Sequence, residues 1–205
     1  MTPRVVKQAR AERTRAAVML AAAEVFAENG FSGASVMKIA DRAGVTLGGV
    51  YFHFRSKEEL ARAIVAGQPE FVVPPEGSHG LQRAIDVTRT WARQLAESPM
   101  LRAGARLVWE QDRFMPAGEN SHQQWTSLMA ADLQSAVDDG ELKPEVDIQA
   151  IARMIVNACT GAQMHSYVET AHEDLVDRVE EIWRCLLPAL GVSDECKGIK
   201  GIGRE

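Results

Sequence analysis

The feature that most narrows the fold is the spacing of apolar residues, which recur every three or four positions and nowhere alternate over a convincing length. One side of a helix repeats at that period, whereas a half-buried strand alternates every second residue. From Arg10 to Glu28, Val18, Ala22, Val25 and Phe26 keep the helical period, and Asn29-Gly30 supplies a left-handed stop. Ser35 is placed to cap a short helix over 35–43, with Val36, Ile39, Ala40 and Ala43 on its inner stripe and Gly44 at its end. A second short helix is expected at 47–54. A Ser56–Glu59 capping box then opens another, with Leu60, Ile64 and Val65 inward. Proline and glycine break the pattern across Pro69–Gly80. Further helices are expected near 80–97, 99–113, 120–139, 147–168 and 172–190, and 192–205 reads as a disordered tail. The fold class is all-α.

Charge is distributed unevenly along this chain. The net charge of −5 argues, taken whole, against a nucleic-acid partner. Residues 1–57, however, hold nine basic and four acidic side chains, while the other 148 hold 14 basic and 24 acidic. A basic module that touches a polyanion and an acidic body with another task fit that division. Arg4, Lys7 and Arg10 form either an arm for the minor groove or a solvated tail. The cysteines, Cys159, Cys185 and Cys196, are odd in number and far apart, so neither a disulfide framework nor a zinc finger is expected. Cys159 and Cys185 lie in apolar helical stretches and read as small hydrophobes of a reducing cytoplasm. No apolar run approaches the roughly 20 residues needed to span a bilayer, and the start of the chain is polar and basic, so neither a membrane span nor a secretory signal is expected. Hydrolase, zincin and phosphate-loop motifs are missing, which disfavours an enzyme.

The helix pair 35–43 and 46–54, joined through Gly44, has the pattern of a helix-turn-helix, whose second helix enters the major groove with its first residues at base edges. Gly30-Phe31-Ser32-Gly33-Ala34-Ser35-Val36, Ile39-Ala40, Ala43-Gly44-Val45-Thr46 and Gly49-Val50-Tyr51-Phe52-His53-Phe54-Arg55-Ser56-Lys57-Glu58-Glu59-Leu60 resemble the N-terminal signature of the TetR family of transcriptional repressors. The resemblance implies a homodimer, no cofactor, an N-terminal helix-turn-helix DNA-binding domain (1–57, with a linking helix to about 68) and a C-terminal helical ligand-binding and dimerisation domain (69–191). It places Thr46, Leu47 and Gly48 at the base edges of a double-stranded DNA operator and Ser35, Tyr51, His53 and Lys57 on its phosphates. Those four side chains can all donate to phosphate oxygens, which fixes register without reading sequence. Leu47 departs from the lysine common in relatives and offers only apolar contact, for instance to a thymine methyl. Phe52 and Phe54 are expected in the core.

Met100-Leu101-Arg102-Ala103-Gly104-Ala105-Arg106-Leu107 and the later Trp125 resemble a TetR subgroup, the γ-butyrolactone autoregulator receptors of actinobacteria. The implied effector is a small lactone, butenolide or furan, and the implied targets are antibiotic or other secondary-metabolite genes. A multidrug or fatty-acyl sensor, or a pseudo-receptor for antibiotics, is the alternative. Candidate effector contacts are Trp125 as a flat wall, Thr160 as a hydroxyl among Ile155, Val156 and Cys159, and Gln68 as a relay beside the Gly67-Gln68-Pro69 break. Thr160 can instead bond its own helix, Trp125 can be plain core, and Gln68 can be a solvent-exposed terminus. Ile148, Ile151, Ile155, Ala158 and Ala162, then Leu175, Val179, Ile182, Leu186 and Leu190, form stripes that suit a four-helix dimer interface. Two reading heads about one turn of DNA apart imply an approximately palindromic operator.

Overall fold

The computed structural model describes residues 3–192, with side chains from Gln8 onward. The expected tail 193–205 with Cys196, and the side chains of Arg4 and Lys7, lie outside the described residues. Among the described residues the secondary structure is helical throughout. It consists of α1 (Pro3–Gly33), α2 (Val36–Ala43), α3 (Leu47–His53), α4 (Lys57–Gly67), α5 (Gly80–Leu95), α6 (Pro99–Leu107), α7 (Ser121–Asp138), α8 (Ile148–Thr170) and α9 (Leu175–Ala189). Two 3-10 turns, Gln68–Phe71 and Val108–Arg113, extend α4 and α6.

The chain divides into two compact units. The first ends at Phe71 and regains Ser98–Asn120; the second takes Val72–Glu97 and everything from Ser121 on. In the first unit α1 packs along α6, and α2, α3 and α4 close the remaining sides. Its core joins Val18, Ala22, Val25 and Phe26 of α1 to Ile39, Val50, Leu60, Ile64 and Leu107. Burying such side chains contributes about 1.5–3 kcal/mol for each large one. In the second unit α7 lies on both α5 and α8, and α9 packs against α5 and α8. Trp183, Leu133, Ile85 and Ile155 are fully buried there.

Two details depart from the sequence reading. The helix expected over 99–113 is α-helical only to Leu107 and continues as a 3-10 turn, with Glu110 outside the helical region (φ −121°, ψ 16°). Cys185 is exposed rather than packed inside, because α9 turns Trp183 and Leu186 inward instead. Cys159 is buried, and that burial pushes its thiol pKa up to about 12. Gly30 interrupts α1 with φ 68°, in the left-handed region where a Cβ is strained.

Candidate nucleic-acid interface and effector site

Each short helix of the reading head begins with a hydroxyl residue. Ser35 Oγ accepts the Lys38 N–H at 3.2 Å, Thr46 Oγ1 accepts the Gly49 N–H at 3.1 Å, and Ser56 Oγ accepts the Glu59 N–H at 3.2 Å. These caps supply partners for amides that a helix start otherwise leaves without one. Glu59 completes the last cap one residue early, accepting the Arg55 N–H at 2.7 Å. Between α2 and α3 the chain turns on Gly44, whose φ of 65° closes α2 with N–H bonds to the Ala40 and Asp41 carbonyls. Ser35 and Thr46 accept through lone pairs, so their O–H hydrogens stay available to a phosphate or a base.

Two turns of α3 bury only Val50, and Phe54 follows it into the core four residues later. The opposite side is therefore presented outward: Thr46, Leu47, Gly48 and Tyr51 are all exposed. Leu47 and Tyr51, four apart, share one face of that helix. Phe52 overturns the sequence reading, since it is 80% exposed, with its ring edge-on to His53 at 5.0 Å. The signal was present in the Val50–Phe54 spacing, which leaves Phe52 facing away. His53 is half-buried. Lys57 is half-buried and donates to the Phe31 and Ala34 carbonyls at 2.8 and 3.1 Å, with its ammonium 4.2 Å from the Phe31 ring centre. Two of its three N–H groups are thus spent inside the protein, and one remains for a phosphate. Arg42 is held by Glu28 and Glu24, which removes one cation from the basic count of this module.

The effector candidates fall in different units. Gln68 belongs to the first and is 3% exposed, so the solvent-exposed alternative does not hold for it. Its amide lies over Gly104 of α6, where any Cβ would collide with it. Trp125 on α7 and Thr160 on α8 belong to the second unit, and both are half-buried. Thr160 donates to the Val156 carbonyl at 2.8 Å, as a helical threonine commonly does, and also meets His122 Nε2 at 3.3 Å. Since the threonine hydrogen goes to Val156, the bond from His122 is best made by an Nε2–H. His122 is a residue the sequence did not single out. It sits three positions before Trp125, on the same face of α7, and burial lowers its pKa so that the ring is neutral near pH 7.

Comparison with known proteins decides the class. Residues 18–64 match the family of bacterial regulatory proteins named for tetR, and residues 78–191 match a tetracyclin repressor-like C-terminal domain. The chain belongs to the TetR family. It is a helix-turn-helix transcription regulator and not an enzyme. An A-factor receptor protein of Streptomyces griseus is 35% identical over 98% of this chain and 72% of its own length. A crystal structure of TylP, a TetR regulator from Streptomyces fradiae, superposes with a TM-score of 0.78 at 38% identity, covering 88% of each chain. CprB from Streptomyces coelicolor, solved in complex with its operator, superposes at 0.69 with 29% identity, covering 87% of this chain and 89% of that one. Among the described residues, no helix of this TetR-family regulator is long and apolar enough to cross a membrane.

The fit of Gln68 over Gly104 gives a direct test of packing in the regulator. Gly104→Ala is expected to displace the Gln68 amide and lower the melting temperature. Adding Gln68→Ala is expected to restore most of that loss, as coupled neighbours do. Thermal unfolding of the wild type, both single variants and the double variant measures the coupling; additive losses would show that the two residues do not share this space.

Proposed function

We propose that the protein is an effector-released repressor that binds an approximately palindromic operator as a homodimer in the cytoplasm and controls secondary-metabolite genes. The similarity to an A-factor receptor over 98% of the chain carries this reading. The Leu101–Leu107 run and Trp125 direct the effector assignment toward a small lactone, butenolide or furan. On the DNA side, Thr46, Leu47 and Gly48 serve the base edges, and Ser35, Tyr51, His53 and the remaining Lys57 N–H serve phosphates. Leu47 selects by apolar contact and leaves hydrogen-bond readout to Thr46.

Pairing is assigned to α8 and α9. A groove of about 610 Å³ runs between them, lined mostly by apolar residues such as Met154, Ala158, Ala162 and Ile182 but also by Arg178 and Glu181, a face that a second copy of the same helices would fill. Trp125 and Thr160 support an effector site in the second unit, with the Thr160 hydroxyl held by the Val156 carbonyl and His122 donating to it. Gln68, packed between α4 and α6, serves as the relay. An effector releases DNA only through its different affinity for the bound and released states, typically about 1–3 kcal/mol of coupling.

Titration of the operator complex with a γ-butyrolactone, a butenolide and unrelated hydrophobic drugs tests the effector class. The lactone or butenolide is expected to release DNA from the wild type, and Trp125→Ala is expected to abolish that release with operator affinity intact. Release by the drugs alone would turn the assignment to a multidrug sensor or a pseudo-receptor.

A further inference from the structure

From the break at Gly30 the chain turns over Gly30–Ala34 toward α2, and charged side chains hold both sides of this corner. On its amide side, Glu110 accepts the Phe31 N–H at 2.9 Å and the Ser32 N–H at 3.1 Å, and its Oε2 also takes the Ser32 hydroxyl. These bonds, with the Ser32 hydroxyl first, hold the Glu110 carboxyl below the ordinary glutamate range. On its carbonyl side, Lys57 takes Phe31 and Ala34, and Lys38 takes Gly33 at 3.2 Å. Gly30 makes room for this arrangement, because a Cβ there would stand 2.5 Å from Glu110 Oε1.

The residues that follow the corner are the reading head itself. Ala34 is buried, the next residue is the α2 cap Ser35, and α2 packs directly on α3. Phe31 is clasped at the same time, with its ring 5.0 Å from that of Phe114, and Arg62 of α4 donates to the Phe114 carbonyl at 2.7 Å. The 3-10 turn after α6 and the Phe114 that follows it are thereby bolted to the end of α1 through one carboxylate and one aromatic pair, and to α4 through Arg62. Lysines alone cannot do this, since they satisfy carbonyls and leave the Phe31 and Ser32 amides without an acceptor.

We propose that Glu110 is a positioning residue for operator recognition: its carboxylate fixes the Gly30–Ala34 corner and so sets where α2 and α3 stand against DNA. The role concerns the shape of the reading head, not its charge. Specific binding, which needs several contacts in register, depends on that shape; non-specific attraction to phosphate does not.

The test uses full-length protein carrying Glu110→Ala or Glu110→Gln. Its probes are a duplex that the wild type selects from a randomised pool and an unrelated duplex of equal length. Affinity for the selected duplex is expected to fall about tenfold or more in Glu110→Ala, a free-energy change of about 1.4 kcal/mol or above. Glu110→Gln, which keeps one acceptor oxygen, is expected to fall between Glu110→Ala and the wild type. Affinity for the unrelated duplex should stay unchanged, and amide exchange at Phe31 and Ser32 should accelerate. Unchanged affinity for the selected duplex would overturn the proposal, as would continued protection of the two amides. A parallel loss on both duplexes with a fall in melting temperature would also overturn it, by showing that Glu110 only supports the fold.

Discussion

Replacement of Trp183 by alanine is expected to cost about 3–5 kcal/mol of stability, the usual range for deleting a large buried aromatic. Trp183 is wholly buried in the second unit, and its indole N–H donates to Thr88 Oγ1 at 2.8 Å. The Thr88 hydroxyl in turn donates to the Ile85 carbonyl at 2.8 Å, so it keeps a partner when the indole is gone. The loss is therefore mostly one of volume and contact between α9 and α5. Trp183→Phe retains most of the apolar body and should lose much less. Denaturant unfolding of both variants at one protein concentration measures the difference, since pairing of protomers would otherwise contribute. Equal losses for phenylalanine and alanine would show that the hydrogen bond, not the packing, matters at this position.

Gly48→Ala is expected to separate folding from DNA binding. Gly48 is exposed in the first turn of α3, and an added Cβ would meet nothing closer than Thr46 Oγ1 at 3.9 Å. Alanine should therefore raise stability by about 0.5–1 kcal/mol, the ordinary gain over glycine within a helix. The same methyl projects from the surface proposed to face the operator, where glycine allows close backbone approach. Operator affinity should fall by about tenfold or more, a loss of at least 1.4 kcal/mol. Melting temperature and operator affinity measured on the same preparation would move in opposite directions. Full operator affinity in Gly48→Ala would remove the first turn of α3 from the groove.

The sequence carried what is local. Helix period, caps and the Gly44 turn are legible because neighbours within four residues decide them, and Ser35 reads as a cap from its place before Val36 alone. The features that escaped depend on distant partners. Glu110 meets Phe31 and Ser32 across nearly eighty positions, and no pattern around Glu110 announces it. Gln68 looked like a helix end, and only the approach of Gly104 shows it to be buried. His122 is unremarkable in a polar helix start until α8 brings Thr160 opposite it. Phe52 escapes for another reason: aromatic character suggests burial, whereas the four-residue step from Val50 to Phe54 already fills the inward side of so short a helix.

The caps of the reading head bear on how such a protein acquires a new target site. Thr46 serves α3 with the same oxygen that stands at the edge of the recognition surface, so a change to an apolar residue there costs about 0.5–2 kcal/mol of helix stability before any gain in recognition. Leu47, 42% exposed, has no side-chain hydrogen bond that its replacement would break. With Leu47 at the base edges, as proposed, drift in sequence preference, whether by natural divergence or by laboratory selection, would be channelled to position 47 while its neighbour stays anchored.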